Sequence, residues 1–263
     1  MKQRKSKKKG FWYYLYAVVI LFLTNANIAL SVLLLTHVQN IEVDGTKYSK
    51  QGAIVEWFQE DTFTKNSLYS LWKIKTGAYE LPVYLDKIDI RFNALWDICL
   101  EVEEKEIIAG VCINNTYVYF DKEGLVMTIE QEPLDGYVMI EGILSNQEQE
   151  IQIKQFEKLE IEEEHVFEII YKFVKSLEKQ NLSPDKIVWD NGSMNLMFDQ
   201  IKVLLGRNNF DDKLAQIPPI MEGEELQGKA GTLYLENYNE VGDSITFKPE
   251  VTEAASENEE QQE

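Results

Sequence analysis

From Gly10 to Ile41 the chain has no Asp, Glu, Lys or Arg, and Leu15 to Thr36 is mostly Leu, Ile, Val, Ala and Phe. As a helix rising about 1.5 Å per residue, that stretch reaches roughly 33 Å, the thickness of a bilayer's hydrocarbon core. Phe11, Trp12, Tyr13, Tyr14 and Tyr16 crowd its start in the manner of an interfacial aromatic belt, and Lys2, Arg4, Lys5, Lys7, Lys8 and Lys9 stand outside that belt. Thr24, Asn25, Asn27 and Ser31 interrupt the apolar run. Either lipid tolerates them or they face another helix. A cleaved signal peptide also begins with a basic tip and an apolar run. This run exceeds the usual h-region, and Thr24-Asn25-Ala26 is a poor small-x-small cleavage site. The expectation is a cytoplasmic basic tip over 1–10, a transmembrane helix over 11–38 and everything later outside the cell membrane, a single-pass type II arrangement.

The exterior part is strongly acidic. Beyond the basic tip, 20 basic side chains stand against 45 acidic ones, a net of −25. Such a field repels phosphate backbones, so nucleic acid is not an expected partner. Two cysteines and two histidines are too few for a disulfide scaffold or a four-ligand zinc module.

After the membrane, Gln39 to Val43 alternates with period two and meets Asp44-Gly45, a strand running into a turn. Ser49 is placed to cap a helix near 50–60 carrying Ile54, Trp57 and Phe58. A second helix is expected over 67–76, with Leu68, Leu71, Trp72 and Lys75 at helical spacing and Gly77 ending it. Strands follow over Asp86–Phe92 and Leu95–Val102, the second alternating on Trp96, Ile98, Leu100 and Val102. The order is β-α-α-β-β.

The basic tip, the single span, "IEVDG", the helix pair, "LPVYLDKIDIRF", "LWDICLEVEEKEIIAG" and "YVYFDKEGLV" together resemble the bacterial cell-division family FtsQ/DivIB. Ala94 and Ile107 stand where that family often has proline. The resemblance implies an α+β chain: a transmembrane helix, a POTRA domain over 39–104 and a larger β domain over 105–247. It also implies a non-enzymatic divisome scaffold that binds FtsL-like and DivIC/FtsB-like bitopic proteins at the septum and helps regulate septal peptidoglycan synthesis. In that family the last strands of the β domain form the partner-binding edge, which points by position to Leu233, Tyr234, Leu235, Glu236, Tyr238, Ile245 and Phe247. Strand neighbours point opposite ways, so one alternate set of these belongs to the core.

Within 105–247, strands are expected over Ile108–Ile113, Thr116–Phe120, Leu125–Glu130 and Tyr137–Ile140. An amphipathic helix carries Val166, Ile169, Ile170, Phe173, Val174 and Leu177 on one face. Strands over Lys186–Trp189, Met194–Phe198 and Ile201–Leu205 come next, then a helix near 210–216 halted by Pro218-Pro219. Gly231–Glu236 and Ser244–Phe247 make a last pair, and residues 248–263 form an acidic tail with too little apolar area to order.

No motif of nucleophile elbow, metalloprotease helix, P-loop or dinucleotide turn occurs, so no catalytic, cofactor or metal residue is expected. His165 after three glutamates suits a solvated helix start better than a metal site. Hairpin spacing alone would allow Cys99 and Cys112 to pair across a turn at residues 105–106, whereas the resemblance puts them in different domains and implies two separate buried thiols. Two rival readings stay open: a POTRA-type polypeptide-binding or chaperone module, and a membrane-anchored wall hydrolase.

Overall fold

A computed structural model describes residues 6–143, 153–161, 165–223, 228–238 and 245–250, with side chains from residue 11 onward. The chain is α+β and divides into two compact units, residues 1–104 and 105–263. Helix α1 (Ser6–Leu35) holds a stretch, Phe11–Leu35, long and apolar enough to cross a membrane. Three of its polar side chains turn back on their own backbone. Thr24 Oγ1 donates to the Ile20 carbonyl at 2.8 Å, Asn25 Nδ2 to Leu21 at 2.7 Å and Asn27 Nδ2 to Leu23 at 2.9 Å. Each of these bonds satisfies one side-chain donor within the helix itself.

Beyond α1 the first unit continues as β1 (Asn40–Asp44), α2 (Gln51–Gln59), a 3₁₀ turn (Thr62–Lys65), α3 (Ser67–Thr76), β2 (Leu85–Ala94) and β3 (Asp97–Glu104). The sheet order is β1-β3-β2, with β1 parallel and β2 antiparallel to the central β3. Ile54 and Phe58 from α2 and Ile74 from α3 pack on Val43, Ile88, Ile90, Ile98, Leu100 and Val102. Gly77 ends α3 in the left-handed conformation at φ 66°.

Two expectations for this unit are corrected, and α3 shows a face that spacing did not assign. Ser49 does not cap α2: the cap residue is Lys50, which makes no side-chain cap bond, and Ser49 is bonded to Glu104 instead. The apolar positions Leu68 and Trp72 face outward from α3, which buries Ser67, Ser70 and Ile74. The hydroxyls of Ser67 and Ser70 donate to the Leu95 and Thr64 carbonyls, so small polar residues bring the helix close to its neighbours. Trp96 lies in the β2–β3 turn, exposed, rather than on the alternating face of β3.

The second unit opens with an antiparallel meander, β4 (Ala109–Ile113), β5 (Thr116–Phe120) and β6 (Val126–Glu130). Asn114 and Asn115 both take positive φ, 49° and 63°, giving the turn twist that matches a two-residue hairpin. A six-stranded sheet follows in the order β12-β11-β10-β9-β8-β7. Its strands are β7 (Ile140–Glu141), β8 (Lys186–Asp190), β9 (Ser193–Phe198), β10 (Ile201–Gly206), β11 (Gly231–Tyr234) and β12 (Thr246–Pro249). Helix α4 (Val166–Gln180) buries Val166, Ile170, Phe173, Val174 and Leu177, and α5 (Phe210–Met221) buries Phe210, Leu214 and Ile217. Their rings meet edge to face, Phe173 and Phe210 lying 5.3 Å apart.

Here too the structure departs from expectation. Pro218 and Pro219 lie inside α5 and do not halt it before Met221. Proline's fixed φ is itself helical; what it forfeits is an N–H donor, and the helix resumes with Glu222 N–H donating to the Pro218 carbonyl at 3.0 Å. The strand expected over Tyr137–Ile140 shrinks to β7, two residues long. Cys99 is buried but Cys112 is exposed, on an outward position of β4; both are free thiols. The last strand begins at Thr246 and includes Lys248 and Pro249, and Glu250 N–H donates to the Ala230 carbonyl at 2.9 Å, so order extends past Phe247. Ser244, the three glutamates before His165, the basic residues 2–5 and the tail 251–263 lie outside the described residues.

Candidate partner-binding edge

Helix α5 carries the chain from β10 to β11, which lies parallel beside it, and β12 then returns antiparallel to finish the sheet. The register pairs Gly231 with Pro249, Thr232 with Lys248, Leu233 with Phe247 and Tyr234 with Thr246. Among the described residues, only one side of β12 is paired within the sheet. Antiparallel ladders alternate, so the Glu250 to Ala230 bond sets which residues look inward. Thr246, Lys248 and Glu250 turn their backbone groups toward β11. Phe247 and Pro249 turn theirs outward. Of those two only Phe247 carries an N–H, so proline blunts the C-terminal end of the edge.

Each residue singled out from the sequence has a definite place. Leu233 and Leu235 are core, 1% and 0% exposed. Phe247, Ile245 and Tyr238 are half-buried and pack against that core. Tyr234 lies on the opposite face, where the Lys248 ammonium sits 4.7 Å from its ring centre. Glu236 is exposed, and its backbone carbonyl accepts from Lys213. The register joins Leu233 to Phe247 and Tyr234 to Thr246, while Glu236 and Tyr238 belong to the turn beyond β11. Gly231 is needed for close approach: a Cβ there would lie 2.5 Å from both the Lys248 carbonyl oxygen and the Phe247 ring.

One residue that supports this region was not apparent in the sequence. Lys213 on α5 is 1% exposed and donates to the carbonyls of Leu205 at 2.7 Å and Glu236 at 2.9 Å, tying the end of β10 to the end of β11. Burial holds its ammonium below the usual lysine range, with the Glu236 carboxylate opposing that shift. In the sequence Lys213 follows Asp211-Asp212 and reads as part of a solvated helix start. Thr246 and Lys248 form the outer, exposed row of the edge strand.

The first unit has its own open edge at β1, beside a groove lined by Ile41, Val43, Gln51, Gly52, Val55 and Arg91. Gln51 Nε2 donates to the Val43 carbonyl at 3.1 Å and so occupies part of that edge. Neither a protein-family model nor a curated protein matches this chain.

Proposed function

We propose that this chain is a bitopic, non-enzymatic cell-division scaffold of the FtsQ/DivIB kind, anchored by α1 with its N-terminus in the cytoplasm and both folded units outside. In this reading β1-α2-α3-β2-β3 is the POTRA domain, and the second unit is the β domain that receives FtsL-like and DivIC/FtsB-like partners at the septum. The observation that carries the proposal is the run of elements: an N-terminal apolar helix, a β-α-α-β-β unit, then a sheet whose last strand among the described residues is also an edge strand. The sequence segments that resemble the family fall in that same order. A strand from a small bitopic partner would add along β12, with Phe247 offering the outward N–H and Thr246 and Lys248 the accessible side chains.

Gly231→Val tests this, because the added side chain would displace β12 from β11. Partner affinity is expected to fall about thirtyfold or more, the scale of a lost hot spot, while the other five strands keep the domain folded. Wild-type affinity in a folded Gly231→Val chain would overturn the edge assignment. Depletion in the host is expected to give filaments with unfinished septa; normal division would remove the wider proposal.

A further inference from the structure

We infer that the end of the first unit next to α1 is a lipid-docking face, with Phe63, Leu68, Leu95 and Trp96 entering the outer headgroup region of the bilayer. This rests on α1 being a retained membrane anchor.

These four side chains are apolar and face solvent: Phe63 is 71% exposed, Leu68 47%, Leu95 51% and Trp96 45%. They come from two separate stretches of chain, the 3₁₀ turn with the start of α3 and the β2–β3 turn. What unites them is their attachment to the residues where α1 ends. Val38 N–H donates to the Lys65 carbonyl at 2.8 Å, and Ser67 N–H to the Thr36 carbonyl at 2.8 Å. Asn66 Nδ2 donates to Thr36 Oγ1 at 2.7 Å, and Gln39 N–H to the Trp96 carbonyl at 2.8 Å. The Ser67 hydroxyl bonds Leu95 in turn. Each of the four therefore lies within two residues of a backbone group tied, directly or through Ser67, to residues 36–39. A helix that leaves the bilayer at Leu35 places them at its surface.

The face is also preorganised. Asp61 accepts from the Phe63 N–H, the Tyr69 hydroxyl and the Lys73 ammonium, each at 2.9 Å, and Asn66 caps α3. The rings of Phe63, Tyr69 and Trp72 follow one another at 5.6 Å spacings. Exposed aromatic and aliphatic side chains gathered at one end of the unit suit the membrane–water interface, where tryptophan is enriched. The acidic body is repelled by anionic headgroups, so the attraction must be apolar and insensitive to salt.

The test uses the full-length chain with Cys99→Ala and Cys112→Ser, reconstituted in phosphatidylcholine–phosphatidylglycerol vesicles. Single cysteines replace Phe63, Leu95, Ala26 within α1, or Glu80 beyond the far end of α3, and each carries an environment-sensitive fluorophore. Phe63→Cys and Leu95→Cys probes should be quenched by headgroup-level nitroxide lipid about threefold more than the Glu80→Cys probe, at low and high salt alike. The Ala26→Cys probe should respond to nitroxide placed deep in the acyl chains. If it does so while the probes at 63 and 95 behave like that at 80, docking is overturned and the anchor stands. An unquenched probe at 26 removes the anchor and the docking with it. Shielding at 63 and 95 that needs an added partner protein would make the face a protein interface and overturn the lipid assignment.

Discussion

Glu104→Ala is expected to destabilise the first unit by about 3 kcal/mol, because one carboxylate holds the whole turn between β1 and α2. Its oxygens accept from the N–H groups of Lys47 at 2.9 Å, Tyr48 at 2.8 Å and Ser49 at 2.8 Å, and from the Ser49 hydroxyl. Burial alone would raise the Glu104 carboxyl, yet the Ser49 hydroxyl and the three backbone donors outweigh it and hold the group below the usual carboxylate range. The folded pKa is therefore depressed. The stability it confers is fully present above the unfolded value near 4.5 and is lost as pH falls through the folded one. Amide hydrogen exchange at Lys47 to Ser49 is the measurement: fast exchange in the alanine variant, with Glu104→Gln intermediate because an amide oxygen still accepts. Protection unchanged in Glu104→Ala would show that the turn holds itself.

The second large effect is expected at Lys213. Lys213→Met keeps the apolar stem but removes both hydrogen bonds, leaving the Leu205 and Glu236 carbonyls short of a donor, a loss of about 2 kcal/mol. The pH dependence has the same sense as that of Glu104 but lies in the alkaline range. A lysine whose folded pKa is depressed releases its proton earlier in the folded state, so stability rises with pH between the folded value and the unfolded one near 10.5. Denaturant unfolding of the second unit followed through that window should show the rise in the parent chain and a flat response in the methionine variant. Equal slopes would mean that the ammonium is not desolvated as its burial implies.

The elements that follow a strict period were legible in the sequence. Helix α4 buries the stripe written at 3.6-residue spacing, and the β8–β9 turn falls at Asn191-Gly192, both at positive φ. Elements governed by close approach were not. The helical spacing of Leu68, Leu71, Trp72 and Lys75 located α3 but not its buried side, which the serines take because they allow nearer packing and hydrogen-bond what they touch. Capping propensity favoured Ser49 and had no means of seeing Glu104, which lies 55 residues on. The edge was legible as alternation, hence Leu233 and Leu235 inside, but which backbone groups of β12 face outward depends on a single bond from Glu250. Lys213 was hidden because its two partners are carbonyls, which no side-chain pattern records.

Strand β1 begins a few residues after α1, and β3 ends where the second unit starts. The two run parallel, paired from Asn40 with Asp97 to Asp44 with Glu101. Tension applied between α1 and the second unit would therefore pull on the leading end of one strand and the trailing end of the other. Strands loaded this way slide past each other in shear, so the rungs of the ladder share the force; a hairpin pulled from its two adjacent ends gives way one rung at a time. With β3 also clasped by β2 on its other side, the sheet of the first unit is arranged to resist a pull applied between α1 and the residues beyond Glu104.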